Sequence, residues 1–386
     1  MKTLVIGGGM AGLTYGIVAV KNGIETVICE RNSRVGKKIA VTGNGKCNVG
    51  NANADASCFN HSKIAQKVLN TVSVAEYVRF LNSCGIYTFS DGAGRMYPLS
   101  ESASNVVDCL RFQFEKHGGK LLTDTEVLSV EKRSDGFCVQ TADGGNLFCN
   151  KVVLACGSGS GVPQPNVKNF CGNFLTETAP SLVPVKIADM DKSLNGLRAK
   201  ATVTLFADGA PVATEKGEVQ FKDYGLSGIC IFNLSARIAR DIVSGKKHNY
   251  QFSLDLVPEF SLQKLEEVLQ KRLADGSEKV FYGILHNKIA QCVVKRSQFT
   301  AQSLAKNAKS LTFRFEKLLD YSMSQVTCGG IAEKYLDDAL TLPNGICAVG
   351  EVLDVDGLCG GNNLYFAAAS ALSLFDENQR ERAYEL

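Results

Sequence analysis

One stretch near the start constrains the fold more than any other: KTLVIGGGMAGLTYGIVAVKNGIETVICER, Lys2 to Arg31. Thr3–Ile6 is a short apolar run with strand character. Gly7, Gly9 and Gly12 follow in G-x-G-x-x-G spacing. Met10–Asn22 carries apolar residues at helical intervals, with Gly23 as a stop signal. Thr26–Cys29 reads as a second strand, ended by Glu30. Strand, glycines, helix, strand and terminal acid in register predict a β-α-β unit shaped for an adenine dinucleotide. Gly7 permits a tight turn, Gly9 lets the backbone approach a pyrophosphate, and Gly12 lets helix and strand pack closely. Met10 and Ala11 open the helix, whose unsatisfied N–H groups favour phosphate. Glu30 suits a ribose diol and repels a 2′-phosphate.

Bulk properties exclude other classes. The chain has 386 residues, 45% apolar and 21% charged, with a net charge of +3. With no lysine/arginine block, neither a nucleic acid nor a membrane surface is expected as a partner. Thr3 to Val20 are 18 consecutive uncharged residues, but five are glycines, which would interrupt a spanning helix. The 14 cysteines are scattered without CxxC spacing, and there are only four histidines. No metal site is expected, and the thiols read as small apolar residues of a reduced, cytoplasmic protein.

A second stretch, VTGNGKCNVGN (Val41–Asn51), is small and turn-rich around one lysine and one cysteine. A triphosphate loop needs G-x-x-x-x-G-K-[ST]. Gly45 and Lys46 match its second half, but Ala40 and Cys47 stand where the first glycine and the hydroxyl residue belong, and no helical pattern follows. A nucleophilic Cys47 needs a base or a lowered pKa; the nearest histidine in sequence is His61, and spatial neighbours decide the matter. The third reading is the flank of a long cofactor, with small residues for close approach and Thr42, Asn44 and Asn48 for hydrogen bonds.

The segments GGGMAGL, VGKKIAVTGNGKCNVGN, GAGRMYPLSESASNVVDCL, KVVLACGSGSG, SLVPV, GEVQFKDYGLSG, QVTCGGI and GEVLDVDGLCGGNNL together resemble the aminoacetone-oxidase-like and bile-acid reductase (BaiN/RdsA-type) family of FAD-dependent oxidoreductases, flavoproteins of the HI0933-like type. The resemblance covers nearly the whole chain. It implies an α/β fold: a Rossmann-like FAD-binding domain of the glutathione-reductase-like kind, with a single dinucleotide fold, interrupted by an inserted β-rich plus helical substrate domain. It implies FAD as cofactor, and contacts to it from Gly7, Gly9, Met10, Ala11, Gly12, Glu30, Arg31, Lys38, Thr42, Gly43, Gly45, Cys47 and Asn48. Val127 stands where a strand backbone meets the adenine, and Ala155 and Gly157 where the next core strand ends. In the tail, Gly350 and Glu351 would lie near the ribityl chain or pyrophosphate. Gly361, Asn362, Asn363 and Leu364 would form a helix start facing flavin N1 and O2, where charge gathers on reduction.

The remaining pattern places the first part of the FAD domain at residues 1–181, a β-rich insert at 182–257, a helical insert at 258–309, and the second part of the FAD domain at 310–386, led by the strand-like Ser310–Phe315. Residues 61–82 carry one helical stripe, and Ser104–His117 a second helix. Gly157–Gly161 superficially offers another glycine motif, but VPQPNVKNF after it is not helical, so a second complete nucleotide fold is not indicated. Asp354 and Asp356 read as turn or cap residues, since calcium-loop spacing breaks at once. The substrate is expected to be a small molecule reaching the boundary between domains.

Within the family, two chemistries remain open: reduction of an activated C=C bond, with NAD(P)H as a transient electron donor, and oxidation of an amine with oxygen. A flavin-binding protein without turnover is a third possibility. Reduction of a C=C bond in a small organic or steroid-like substrate is the favoured reading. Proton-transfer candidates are Asp223 and Tyr224, in FKDYGLSG where the family carries histidine in place of Asp223. Arg95 is a candidate for an acidic substrate, with a structural ion pair as its alternative.

Overall fold

The computed structural model describes residues 2–60, 63–158, 167–275 and 279–385, and only the backbone of Val167 and Lys168. Most of the second glycine-rich stretch and VPQPN therefore lies outside the described residues, as does His61. The chain divides into two compact units, Met1–Ala179 with Val326–Leu386, and Pro180–Gln325.

The first unit is built on a five-stranded sheet ordered Cys347–Ala348, Lys151–Leu154, Lys2–Ile6, Glu25–Cys29, Lys120–Leu122. All its pairings are parallel, with Leu4 opposite both Val152 and Val27. A parallel sheet is covered on both faces, so its strands lose the usual apolar–polar alternation; Leu4, Val5, Val152, Val153 and Leu154 are all fully buried. The uncharged run splits into the first strand and the helix Met10–Lys21, buried from Met10 to Ala19. A helix apolar all round belongs in a core, and among the described residues no helix is long and apolar enough to cross a membrane. The three-stranded meander Val127–Arg133, Gly136–Thr141, Asn146–Cys149 turns where Ser134–Gly136 and Ala142–Gly145 predict it.

The stripe at 61–82 is two helices, Lys63–Thr71 and Val74–Ser83. Ser73 accepts from the Glu76 backbone N–H while the Glu76 carboxylate accepts from the Ser73 N–H. This capping box starts a new helix whatever the apolar spacing around it.

The second unit is a closed barrel ordered Val185–Ile187, Gly225–Ser227, Ala210–Phe221, Arg198–Ala207, Tyr250–Asp255, Leu311–Leu318. Its long hairpin turns at Asp208 and Gly209, both left-handed with φ 49° and 82°; a two-residue turn of this kind matches the twist of the strands. Helices Leu262–Ala274, Asn287–Lys295 and Ala301–Lys309 follow.

Two sequence expectations differ here. Ser310–Phe315 does not lead back to the first unit: Leu311–Leu318 closes the barrel, pairing with Tyr250–Asp255 on one edge and Val185–Ile187 on the other. Leu311 and Phe313 point into the barrel core while Arg314 is exposed, and that alternation carries no sign of which sheet the strand joins. The β-rich segment also holds a 15-residue helix, Ile229–Val243, which buries Ile231, Leu234 and Ile238. Its four isoleucines and one valine have strand propensity, and tertiary packing overrides it.

Candidate functional site

The glycine turn is tied down by the loop after the second strand. Gly8 donates its N–H to Glu30 Oε2 at 2.9 Å, and its carbonyl accepts from Gly36 N at 2.8 Å. Glu30 is 9% exposed, and its other oxygen accepts from Asn32 N (2.9 Å) and Asn32 Nδ2 (2.5 Å). Oε2 thus still has a lone pair for a ribose hydroxyl while holding the turn, whereas Oε1 is saturated by Asn32.

The three motif glycines differ in what surrounds them. A Cβ on Gly12 would stand 2.0 Å from the Gly7 carbonyl oxygen, and one on Gly7 2.5 Å from that of Ala155. One on Gly9 would meet nothing within 4 Å. Gly7 and Gly12 are therefore required by packing. Gly9 opens onto free space beside the first-turn N–H groups of the helix, where Met10 and Ala11 begin it and no acceptor exists within the helix.

Beside this turn, Lys38 Nζ pairs with Glu351 Oε2 at 2.5 Å, and Glu351 Oε1 accepts from Thr327 N at 2.9 Å. Gly157 lies against the same carboxylate, its notional Cβ 4.0 Å from Oε2. Gly350 packs onto the glycine-turn helix, since a Cβ there would stand 2.9 Å from that of Ala11. Val127 follows Thr125, whose N–H donates to the Glu30 carbonyl at 2.9 Å, so the meander begins next to the ribose-side acid. Arg31 is half-buried at that end.

The second motif forms a short helix, Lys37–Ala40, and a tight loop. Gly43, Asn44, Gly45 and Cys47 are all left-handed, with φ of 58°, 54°, 85° and 60°. Thr42 spends its hydroxyl proton on the Ile39 carbonyl at 2.7 Å, and its oxygen lies 3.4 Å from the Cys47 sulfur. Burial pushes the Cys47 thiol up to about 11, with the Thr42 contact opposing. With 0% exposure it is no nucleophile. The loop delivers Asn48 and Gly50 to the start of the tail helix, Asn362–Leu372.

That helix start is crowded by backbone. Gly361, the N-cap at φ 96°, would place a Cβ 2.1 Å from the Gly50 carbonyl oxygen and 2.6 Å from Asn48 Oδ1. Asn363 clamps Gly357 by two hydrogen bonds of 2.8 Å, Asn51 Nδ2 reaches the Gly360 carbonyl at 3.0 Å, and Leu364 is half-buried one turn along. Asn48 Oδ1 and Asn362 Oδ1 are buried and have no hydrogen-bond partner among the described residues, and the same is true of Ser158 Oγ and Thr327 Oγ1. Buried polar atoms without partners are uncommon in native structures. These lie beside Gly361, Gly157 and Glu351, along the course an extended dinucleotide would take from the glycine turn to the tail helix. The residues present therefore fit FAD.

Arg95 stands at the ring end, its Cγ 3.8 Å from a notional Cβ on Gly360 and its strand paired with Asn51. Arg95 is committed to Asp91: Nε and Nη2 each lie 2.7 Å from Oδ2. This pairing holds the Asp91 carboxyl below its ordinary value. Asp223 is exposed at the tip of a turn in the second unit, accepting from Tyr224 N at 3.0 Å. Tyr224 is half-buried, and burial, then the Asp223 charge, raise its pKa. Asp356 is buried and accepts from Asn60 Nδ2 at 3.0 Å, holding the turn before the tail helix. No group of metal-binding side chains occurs among the described residues. Sequence reasoning missed Asn32, Ser158 and Thr327. Asn32 carried a weak signal, an amide two residues beyond the ribose-side acid; Ser158 and Thr327 carried none.

Fold and cradle together define an FAD-dependent oxidoreductase with a Rossmann-like dinucleotide domain and an inserted barrel unit. The model of the HI0933-like protein Rossmann domain matches residues 1–374, and the chain belongs to that family, as the motifs indicated. The chain is 29% identical to a 3-dehydro-bile acid delta(4,6)-reductase of Clostridium scindens over 95% of this chain and 96% of that protein. It is 24% identical to a ribosomal RNA dihydrouridine synthase of Escherichia coli, over 95% of each. Among solved structures, the open conformation of a flavocytochrome c3 fumarate reductase superposes with a TM-score of 0.48 and 15% identity, covering 99% of this chain and 78% of that one.

Proposed function

We propose that this chain uses FAD to reduce a carbon–carbon double bond activated by a neighbouring carbonyl, in a small organic or steroid-like substrate, with NAD(P)H as a transient electron donor. The observation that carries the reading is the cradle itself. A phosphate-ready helix start, an acid for a ribose diol and a second helix start with unpaired acceptors all belong to the first unit. The Clostridium scindens relative supports the substrate class, since its name denotes reduction of ring double bonds in a 3-oxo steroid acid.

FAD, when bound, supplies hydride transfer; the polypeptide supplies the rest. Met10 and Ala11 would offer N–H groups to the diphosphate, and Glu30 would accept from the adenosine ribose. Lys38, Glu351 and Gly157 would line the middle of the cofactor, and the first turn of the tail helix would face its ring. Positive partial charge there, about half an elementary charge, favours electron uptake without a cationic side chain. Reduction also needs a proton at carbon. Tyr224 and Asp223 are the two residues we propose as candidates for its donor.

A second reading is reduction of uridine within RNA, favoured by the Escherichia coli relative; dihydrouridine is uridine with its ring double bond saturated. Anaerobic titration separates the possibilities. Bleaching of the flavin by NADH or NADPH, followed by reoxidation with a 3-oxo-4-ene steroid, supports the first reading. Reoxidation only by ribosomal RNA supports the second. Bleaching by an amine, with peroxide formed in air, overturns both, and a protein that takes up no FAD overturns the cofactor assignment.

A further inference from the structure

One face of the first unit departs from the usual pattern of an exposed sheet. The strands Gly50–Asn51, Arg95–Pro98 and Thr88–Ser90 form a three-stranded antiparallel sheet in that order. Met96 and Pro98 are buried, so the alternation turns Arg95, Tyr97 and Leu99 outward. Phe89 stands opposite Tyr97, and Leu99 N donates to the Tyr87 carbonyl at 2.8 Å, which sets Tyr87 beside Leu99. An outward face normally carries polar residues. Here Tyr87, Phe89 and Leu99 are 53%, 39% and 65% exposed, next to a half-buried Tyr97. The Phe89 and Tyr97 rings lie 6.0 Å apart at a tilt of 31°, an ordered aromatic pair held in the open. Contiguous exposed apolar surface of this kind marks a binding site.

Two observations say what covers it. The face is continuous with the end of the cradle: Asn51, paired with Arg95, donates to the Gly360 carbonyl at 3.0 Å, and a Cβ on Gly43 would stand 3.7 Å from Tyr97 Cε1. The cations beside Tyr97 are already neutralised, Arg95 by Asp91 at 2.7 Å and Lys46 by Glu101 at 2.8 Å. A face without spare positive charge offers little to a polyanion such as RNA, whose binding rests on phosphate neutralisation. It suits an uncharged, flat, apolar molecule that must also reach the cradle. We infer that Tyr87, Phe89, Tyr97 and Leu99 form the platform on which the fused rings of a steroid-like substrate lie, and that this hairpin sets a preference for large flat substrates over small ones. The inference rests on the reading of the chain as a reductase of activated C=C bonds, and adds to it the residues that determine specificity. Aromatic side chains fit that role because they offer large area with few rotatable bonds to freeze.

The test pairs equilibrium dialysis of the FAD-loaded protein against androstenedione, a 3-oxo-4-ene steroid, with turnover of that steroid and of cyclohexenone. Melting curves check that the variants fold. In Phe89→Ala and Tyr97→Ala the steroid's dissociation constant should rise about tenfold, the loss of one aromatic contact surface. The preference for steroid over cyclohexenone, as the ratio of their kcat/KM values, should fall with it, the loss lying in KM. Phe89→Leu, which keeps apolar area, should restore most of the affinity. Phe148→Ala, which removes an exposed aromatic of the meander, should leave it as it was. Unchanged steroid affinity in both alanine variants, or equal losses for steroid and cyclohexenone, overturns the inference and leaves the reductase reading standing. So does a wild type that reduces cyclohexenone without binding the steroid. Wild type that holds FAD yet reduces neither enone removes that reading and the inference with it. If the variants instead lose self-association or RNA binding, with steroid binding intact, the face belongs to a second copy or to RNA, and the inference is overturned.

Discussion

The two ends of the cradle solve the same problem differently. At the adenosine end, the buried carboxylate and the glycine turn are already paired with each other. Glu30 holds Gly8 and Asn32, Gly36 holds Gly8, and only Gly9 opens onto free space. At the ring end, two carboxamide oxygens are buried without partners. The first end is braced by bonds within the chain, while the second leaves two acceptors unmatched, and an unmatched buried acceptor is a cost to the fold.

The largest expected effect breaks the rigid end. Gly12→Val puts carbon within 2.0 Å of a backbone oxygen that cannot move aside, so we expect loss of soluble folded protein or a destabilisation of about 3 kcal/mol or more, read by thermal melting. Gly9→Ala is its control: with nothing within 4 Å and φ of −84°, melting of the apoprotein should be unchanged while FAD affinity falls. Equal damage from both would show that the free space beside Gly9 is not a ligand's.

Next is Gly361→Ala, which meets the Gly50 carbonyl at 2.1 Å in a left-handed conformation. It should cost about 1–3 kcal/mol and loosen the ring end, seen as restored fluorescence of bound flavin. Glu30→Ala, by contrast, strikes both functions of one side chain. It leaves the Gly8 N–H unpaired, costing about 1–3 kcal/mol, and weakens FAD retention through dialysis. Unchanged flavin occupancy would contradict the ribose assignment.

A pH series sharpens the comparison between pre-paired polar groups and buried thiols. Burial raises the thiols of Cys47, Cys149 and Cys230 to about 11 and those of Cys29 and Cys84 to about 12. Unfolded thiols ionise near 8.5, so above that value the unfolded chain binds fewer protons than the native one. Stability is fully present below about 8.5 and is lost as pH rises toward 11–12; urea midpoints at pH 8 and pH 10 check the sign. The smallest effect is Arg95→Gln. A partly exposed ion pair is worth about 0–1 kcal/mol, and turnover should be unchanged, whereas a large loss of activity would restore Arg95 as a substrate ligand.

Much of the adenosine end was legible because its parts are consecutive. The glycine spacing, the buried helix and Glu30 lie within thirty residues, and each has a local physical reason for its identity. The hairpin at Asp208-Gly209 and the turns of the meander were legible on the same grounds. The ring end was legible only in outline. That Gly361 meets Gly50, or that Asn51 holds Gly360 across 309 residues of chain, follows from no pattern along the sequence. The break at Ser73 shows a capping box prevailing over an apolar stripe. The Ile229–Val243 helix and the barrel strand Leu311–Leu318 show tertiary packing choosing among local options of similar merit.

Sequence alone thus determined the β-α-β unit, because backbone sterics and helix electrostatics act over a few residues and leave their mark in residue type. It also determined that Cys47 is no phosphate-loop residue. Tertiary structure decided that its thiol is buried and inert, that Arg95 belongs to Asp91, and that two asparagines more than three hundred residues apart leave their oxygens facing one helix start. Burial and pairing depend on what the rest of the chain brings near, and no local pattern encodes that.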